Sequence, residues 1–282
     1  MPTYIHLVRH AQGFHNLCVA NHQLPDPDLT PLGKEQCATL AKTFPFQSQL
    51  THLVASPLRR TIYTCLLSFE PALQHLQQQQ SQQQQTTPPN PPAAVVVALP
   101  ELQEVSRFPC DTGSSPAALD AEFGPAGTVD LSLVRAVPDW NVKTGASPFA
   151  PVMARLEARA RAARVWLREL GRRFEEVNPG VDAHVAVVTH GGFLHFLTGD
   201  WDGMNPEAGT GWVNTEWRSY EFVEGAGGSG DGDGEAALRE TGESWRRRRG
   251  SAAGLTETEQ MELRAAVEGS LVEEWGADGE KN

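Results

Sequence analysis

The chain opens on a short unbroken apolar run, Tyr4 to Val8, that stops abruptly at Arg9-His10. A run of that length with polar flanks suits a strand covered on both faces better than a helix. Thr30-Pro31 supplies an N-cap and a proline at the first helical position, so a helix is predicted from there to about Phe44, where Pro45 ends it. A second strand is predicted over His52 to Ala55. From Pro57, the residues Leu58, Ile62, Cys65, Leu66 and Phe69 recur at spacings of three and four, which predicts an amphipathic helix ending near Pro71 to Leu73.

The pattern then breaks. Residues from Gln77 to Pro92 are almost entirely Gln, Thr and Pro, a composition that buries too little apolar surface to offset the entropy of ordering, so a disordered insertion is expected at about 77–92. Ala93 to Leu99 is a third predicted strand, Val152 to Phe174 a helix opened by Pro151, and His184 to Thr189 a fourth strand. The intervening stretch to residue 150 is rich in Gly, Pro and Ser and too long for an ordinary connector. It is expected to form a lid or a substrate-facing region. Glu216 to Val223 is read as an edge strand. Beyond it, Gly225 to Gly234 reads as a linker, and the Thr256-x-x-Glu259 spacing marks a capped helix to about Val272.

Strands alternating with helices predict an α/β fold, a doubly wound and mainly parallel sheet with helices on both faces. The expected division is one domain over 1–224 and an acidic flexible tail over 225–282 that either packs as one short helix or stays loose. Composition changes this picture little. An apolar fraction of 40% and a charged fraction of 21% describe a globular protein with some polar excess. The net charge of −12 and a pI of 5.2 argue against a nucleic-acid surface, so a positive field for an anionic ligand must be local. The 4 cysteines form no Cys-x-x-Cys pair, which fits reduced thiols and neither a disulfide scaffold nor a zinc site. With no apolar run long enough to span a bilayer and no signal-peptide pattern, a cytoplasmic location is expected and membrane insertion is not. The Arg246 to Arg249 tetrad leaves a nuclear address open beside the plainer reading of solvated charge.

Ligands of such sheets gather beyond the carboxyl ends of the strands. Arg9 and His10 follow the first predicted strand, Ser56 and Arg60 the second, Glu101 and Glu104 the third, and His190 with Gly191-Gly192 the fourth. Two guanidinium groups can clamp phosphoryl oxygens, one imidazole can attack phosphorus, a second can stabilise developing charge, and a carboxylic acid can protonate the leaving oxygen. No step of that chemistry calls for a metal or another cofactor. His6 and His195 are expected to be packed side chains, whereas His15 and His22 are candidates for the pocket entrance. Ser56 could serve only as a helix cap, and Asn16 could serve only to stabilise a turn.

These blocks resemble the histidine phosphatase superfamily, also called phosphoglycerate mutase-like. The residues that carry the resemblance are Arg9-His10-Ala11 with Asn16, Leu29 to Gly33, Ser56-Pro57-Leu58-Arg59-Arg60-Thr61-Ile62-Tyr63-Thr64, and Val188-Thr189-His190-Gly191-Gly192. Gln12 stands where many members have Glu, a variant that resembles the plant and fungal phosphatase-like branch, as does Pro109 to Gly113. The resemblance implies a metal-independent phosphomonoester hydrolase with His10 as nucleophile. It further implies Arg9, Asn16, Arg60, His190 and Gly191 around the phosphate, and Glu104 as acid/base, with Glu101 the competing assignment. The expected partner is a small phosphorylated substrate. A phosphoglycerate-type mutase and a catalytically weak phosphate-recognising regulator remain the alternatives.

Overall fold

A computed structural model describes residues 2–83, 95–205, 209–223 and 236–275. Seven strands form one sheet in the order β4-β3-β2-β5-β1-β6-β7. They are β1 (Thr3–Arg9), β2 (His52–Ala55), β3 (Val96–Ala98), β4 (Val129–Asp130), β5 (Ala183–Thr189), β6 (Trp217–Phe222) and β7 (Leu238–Glu240). The five strands from β4 to β1 pair in parallel, and β6 and β7 join antiparallel.

Alternation along the strands assigns each face its own core. Val8, Leu53, Ala55, Val96, Ala186 and Val188 pack against α1 (Pro31–Thr43), α2 (Arg59–Ser68) and α3 (Glu70–Gln83), with further cover from α4 (Pro116–Phe123) and α5 (Ser132–Ala136). Ile5, Leu7, Val54, Val185 and Val187 point the other way, into α6 (Met153–Val177) and α7 (Gly191–Thr198). Burial on both faces is why these strands read as continuous apolar runs. The doubly wound, mainly parallel sheet expected from the sequence is the observed fold.

Register matters for function. Arg9 pairs with Thr189, and Ala55 with both Val188 and Ala98, so the strands end level. The chain leaves β1 for β2, works outward to β4, and returns through β5 between β2 and β1. The strand order therefore reverses beside β1 and β5, where a crevice opens in such sheets. Close packing keeps the loop after β1 in place. Thr30 caps α1 by accepting from the Gly33 N–H at 3.0 Å, and a Cβ on Gly33 would stand 2.2 Å from the Gln12 carbonyl oxygen. Only glycine allows α1 to approach that backbone so closely.

Several expectations change. The helix from Pro57 is two helices, since α2 ends at Ser68 and α3 begins at Glu70. The glutamine-rich stretch begins inside α3, which continues to Gln83 with Leu76 packed on the core, and residues 84–92 lie outside the described residues. Residues 100–150, expected as a lid or a substrate-facing region, are folded into short helical turns, β4, α4 and α5, with Trp140 fully buried.

The largest correction concerns the boundary at 224. β7 pairs with β6, so β6 is no edge strand, and α8 (Gly242–Arg249) and α9 (Glu257–Trp275) follow. Arg248 meets Glu240 at 2.7 Å and Asp202 at 3.6 Å, Arg249 meets Asp202, and Arg247 lies 3.6 Å over the Trp217 ring. The basic tetrad is thus largely engaged with acidic and aromatic partners. Thr256 and Glu259 cap α9 reciprocally, and Leu263 and Val267 reach the core. Among the described residues no helix is long and apolar enough to cross a membrane.

Removing Arg248 leaves Glu240, whose side chain is only 9% exposed, without its cation. Arg248→Met is expected to cost about 2 kcal/mol and lower Tm by roughly 5 °C. Calorimetry showing Tm within about 1 °C of the parent would return this segment to the status of a solvated appendage.

Candidate active site

His10 directly follows β1. Its N–H donates to the Thr189 carbonyl at 2.9 Å, and its own carbonyl accepts from Asn214 Nδ2 at 2.9 Å. The ring is buried, and Nδ1 lies 2.7 Å from the Ala11 carbonyl oxygen. A carbonyl only accepts, so Nδ1 carries the hydrogen and Nε2 keeps the lone pair. Burial, then the charge of Arg60 and the nearby His15 and Arg9, holds His10 well below the ordinary imidazole range. A neutral, oriented imidazole is the form able to act as a nucleophile.

Arg60 enters from the first turn of α2, which starts four residues after β2 ends. It is fully buried and donates to the Cys110 carbonyl at 2.5 Å, to Asp111 Oδ1 at 2.8 Å and to His190 Nδ1 at 3.0 Å. Guanidinium cannot accept, so His190 Nδ1 is the acceptor and its Nε2–H donates to Ser56 Oγ at 2.9 Å. One turn along α2, Thr64 Oγ1 accepts from the Ala11 N–H at 3.0 Å, tying the Arg60 helix to the His10 loop. The His10 and His190 ring centroids are 5.2 Å apart. Arg9 donates through Nη1 to the Trp212 carbonyl. The Nε–H groups of Arg9 and Arg60 are both buried with no protein acceptor.

Glu104 arrives from the loop after β3 and sits on the N-terminus of α7. Its carboxylate accepts from the N–H of Val105 at 2.8 Å, Phe193 at 2.9 Å and Gly192 at 3.1 Å. Burial and then the charge of Asp111 raise its proton affinity, against those N–H donors and Arg60. A Cβ on Gly192 would stand 2.7 Å from Glu104 Oε1, so glycine is required for this seat. Gly191 is equally confined, by Thr210 Oγ1 at 2.5 Å. Glu101 is also raised by burial, against its backbone hydrogen bond and the charge of Arg159.

Asn16 is less central. Its Oδ1 accepts from the Gly13 N–H at 3.0 Å, which is the turn role weighed beside phosphate binding. His15 is buried with its ring 5.3 Å from that of His10, while His22 lies against Phe108. His6 and His195 are packed, as expected, the first bonded to Ser219 at 2.8 Å. Ser56 is no mere helix cap, because the closest polar contact of its hydroxyl is His190. Sequence reading missed the carboxylate and cations behind the site. Asp111 lies below the usual carboxylate range because Arg60, Lys143 and the Ser106 hydroxyl together outweigh its burial. Lys143 and Arg159 both reach the Glu104 carbonyl. The one available signal was Asp111 inside the quoted Pro109 to Gly113 block; nothing around Lys143 marks it. Among the described residues no group of three or more His, Cys, Asp or Glu is placed to hold a metal ion.

The family model of the histidine phosphatase superfamily (branch 1) matches residues 5–81, which bears out the resemblance carried by the Arg9-His10-Ala11 and Ser56 to Thr64 blocks. No curated protein matches the chain. Among solved structures it is similar to a mycobacterial glucosyl-3-phosphoglycerate phosphatase, at 20% identity over 85% of this chain and 97% of that one, with a TM-score of 0.45. A phosphoserine phosphatase variant from Entamoeba histolytica bound to phosphoserine is 13% identical over 85% and 95% of the two chains, with a TM-score of 0.40. A phosphoglycerate mutase from Bacillus anthracis is 16% identical over 85% and 92%, with a TM-score of 0.42.

The neutral imidazoles have a consequence for stability. Burial lowers His6 and His15 to about 3 and His52 to about 4, and His10 and His190 lie well below the ordinary value. The unfolded chain binds these protons near pH 6.5, whereas the folded chain does not until the pH approaches 4 or lower, so stability is full above about 6.5 and falls below it. Each unmatched proton contributes a slope of about 1.4 kcal/mol per pH unit. Tm should therefore drop steeply between pH 7 and pH 5. A flat profile across that interval would contradict neutral burial of these rings.

Proposed function

We propose that this chain is a histidine phosphatase that hydrolyses phosphomonoesters through a phosphohistidine on His10, without a metal ion. One observation carries the reading most directly. A neutral imidazole with its Nε2 lone pair available stands in a buried cluster with two arginines whose Nε–H donors have no protein acceptor. Each unsatisfied buried donor costs about 1–3 kcal/mol, and a dianionic phosphoryl group is a ligand that would relieve both.

In the first half-reaction the His10 Nε2 lone pair attacks phosphorus in line, the ester P–O bond breaks, and its electron pair leaves on the alcohol oxygen. Glu104 protonates that oxygen. Its Oε2 accepts a single N–H, from Gly192, which leaves a position for the acidic proton, and burial beside Asp111 favours holding that proton. Arg9, Arg60 and the Nε2–H of His190, which exchanges Ser56 Oγ for the ligand, stabilise the three equatorial oxygens. In the second half-reaction Glu104 takes a proton from water as the water oxygen bonds to phosphorus, the P–N bond breaks with its electron pair returning to His10, and inorganic phosphate leaves. Gly191, at the head of α7, brings the positive end of the helix to the same place. Asn16 would add its amide to the phosphate shell from the neighbouring turn.

Hydrolysis is favoured over a mutase cycle because cations on the stretch from Val105 to Lys143 are engaged within the protein. Of Arg107, Arg135 and Lys143, Arg135 is paired with Asp120 on the surface and Lys143 donates to the Glu104 and Ser106 carbonyls. The substrate on this reading is a small phosphorylated molecule with one phosphoryl group as its anchoring charge.

An aryl phosphate should be hydrolysed in excess EDTA, and acid-labile phosphoenzyme should be trapped with the parent and not with His10→Ala. Glu104→Gln should still form phosphoenzyme from p-nitrophenyl phosphate while losing about 100-fold or more on an alkyl phosphate, whose leaving oxygen needs the proton. Activity lost in EDTA and restored by a divalent ion would refute metal independence. Faster isomerisation of 3-phosphoglycerate than phosphate release would establish the mutase instead.

A further inference from the structure

Behind Glu104 lies a buried amine that the reaction above does not use. Lys143 is 4% exposed, and its Nζ donates to the Glu104 carbonyl at 2.8 Å and to the Ser106 carbonyl at 2.7 Å. These two carbonyls bracket Val105, whose N–H donates to Glu104 Oε1 at 2.8 Å. The ammonium therefore grips both sides of the residue that grips the carboxylate. Its own segment is rigidly docked. Trp140 O accepts from Gln103 Nε2 at 2.8 Å, Asn141 Nδ2 donates to Gly113 O at 2.8 Å, and a Cβ on Gly113 would stand 2.0 Å from the Trp140 ring.

We infer that Lys143 is a positioning residue for the acid/base, fixing the turn that seats Glu104 on α7 and supplying the buried positive charge that balances Glu104 and Asp111. This inference rests on the phosphatase reading for its kinetic consequence and on geometry alone for its structural one. Around the Glu104 carboxyl stand Asp111 and Cys110 on its own loop, Arg60 from α2, Arg9 from β1, Arg159 from α6, and Lys143. Arg159 lies 4.4 Å over the Phe193 ring and is 3.4 Å from the Glu104 carbonyl, so it is a weaker grip on the same atom. Lys143 itself is brought down to about 7 by burial, against the pull of Asp111 and Glu104. Removing its charge leaves burial and Asp111 less opposed, so Glu104 must hold its proton more tightly, and removing its two hydrogen bonds frees the turn.

The test uses Lys143→Met, close in volume and uncharged, with Lys143→Arg keeping the charge. Carboxyl carbons of glutamate-labelled full-length protein are followed by NMR against pH, with the Glu104 signal assigned by its loss in Glu104→Gln. In Lys143→Met the Glu104 midpoint should move up by about one pH unit, a shift that the Arg variant restores at least in part. In turnover, the alkaline limb for an alkyl phosphate should move up with it. The alkyl rate should fall about tenfold or more, while phosphoenzyme formation from p-nitrophenyl phosphate changes less than about threefold. An unchanged Glu104 midpoint and an unchanged leaving-group dependence, with only a lower Tm, would reduce Lys143 to a structural staple and overturn the inference. The NMR titration is read whether or not the protein turns over, so a parent that forms no phosphoenzyme refutes the phosphatase reading alone. If Lys143→Met does not fold, the Arg variant decides: a Glu104 midpoint and alkyl rate near those of the parent support the charge role, and an alkyl rate lost at an unchanged midpoint refutes it.

Discussion

The site is organised around one fully buried guanidinium. A charge taken out of water costs several kcal/mol unless each of its donors finds a geometrically good partner, and Arg60 has no exposed surface at all. Its partners accordingly come from separate parts of the chain: the Cys110 carbonyl and Asp111 from the loop beyond β3, and the lone pair of His190 at the start of α7. Each of these contacts fixes something further. The Asp111 carboxylate is fixed a second time by the Ser106 hydroxyl at 2.5 Å, and the His190 tautomer is settled because guanidinium can only donate. The remaining ring hydrogen must then lie on Nε2.

The same charge sets the state of its neighbours. Arg9, Arg60, Lys143 and Arg159 face Glu104 and Asp111, an excess of positive charge inside a protein whose net charge is −12. Burial first, and then the charge of Arg60 with Arg9 at His10 and with Lys143 at His190, lowers the proton affinity of both imidazoles. Local cationic excess therefore does two things at once: it makes a place for an anionic ligand and it helps to keep the His10 lone pair free of a proton. Overall acidity is no obstacle, because surface charges act through solvent and salt whereas these act through protein.

What the sequence disclosed and what it hid follow from how each residue is held. The residues just beyond strand ends were legible, since a run of apolar residues that stops at Arg9-His10 or at Thr189-His190 marks both the strand and the position its successor occupies. Ser56 was ambiguous because a serine before a helix has a local explanation that hides a partner 134 positions away. The strand at 238–240 was hidden for a different reason. Leu238-Arg239-Glu240 has one apolar side chain, and its place in the sheet depends on pairing with β6, information that no local pattern holds. Arg247 to Arg249 look like solvated charge along the chain and are explained only by Asp202, Glu240 and Trp217. Lys143 was hidden most completely, in a stretch whose Gly, Ser and Pro content suggested looseness, although its neighbour Trp140 is fully buried.

Glu104 shows how opposing effects on one buried carboxyl can be combined. Three backbone N–H groups, two of them from the first turn of α7, favour the carboxylate, as does Arg60. Burial and the charge of Asp111 favour the acid, and they outweigh the donors. Had the donors acted alone, the group would hold its proton too weakly to assist a leaving alkoxide; had burial acted alone, it would not release the proton and could not activate water. The balance depends on distance, and Gly192 sets it, since any side chain there would push the carboxylate off the helix terminus. The glycine pair after His190 thus makes room for two atoms distant from it in sequence, Oε1 of Glu104 and the hydroxyl of Thr210, and its lack of a Cβ is as much a part of the site's geometry as the imidazoles are.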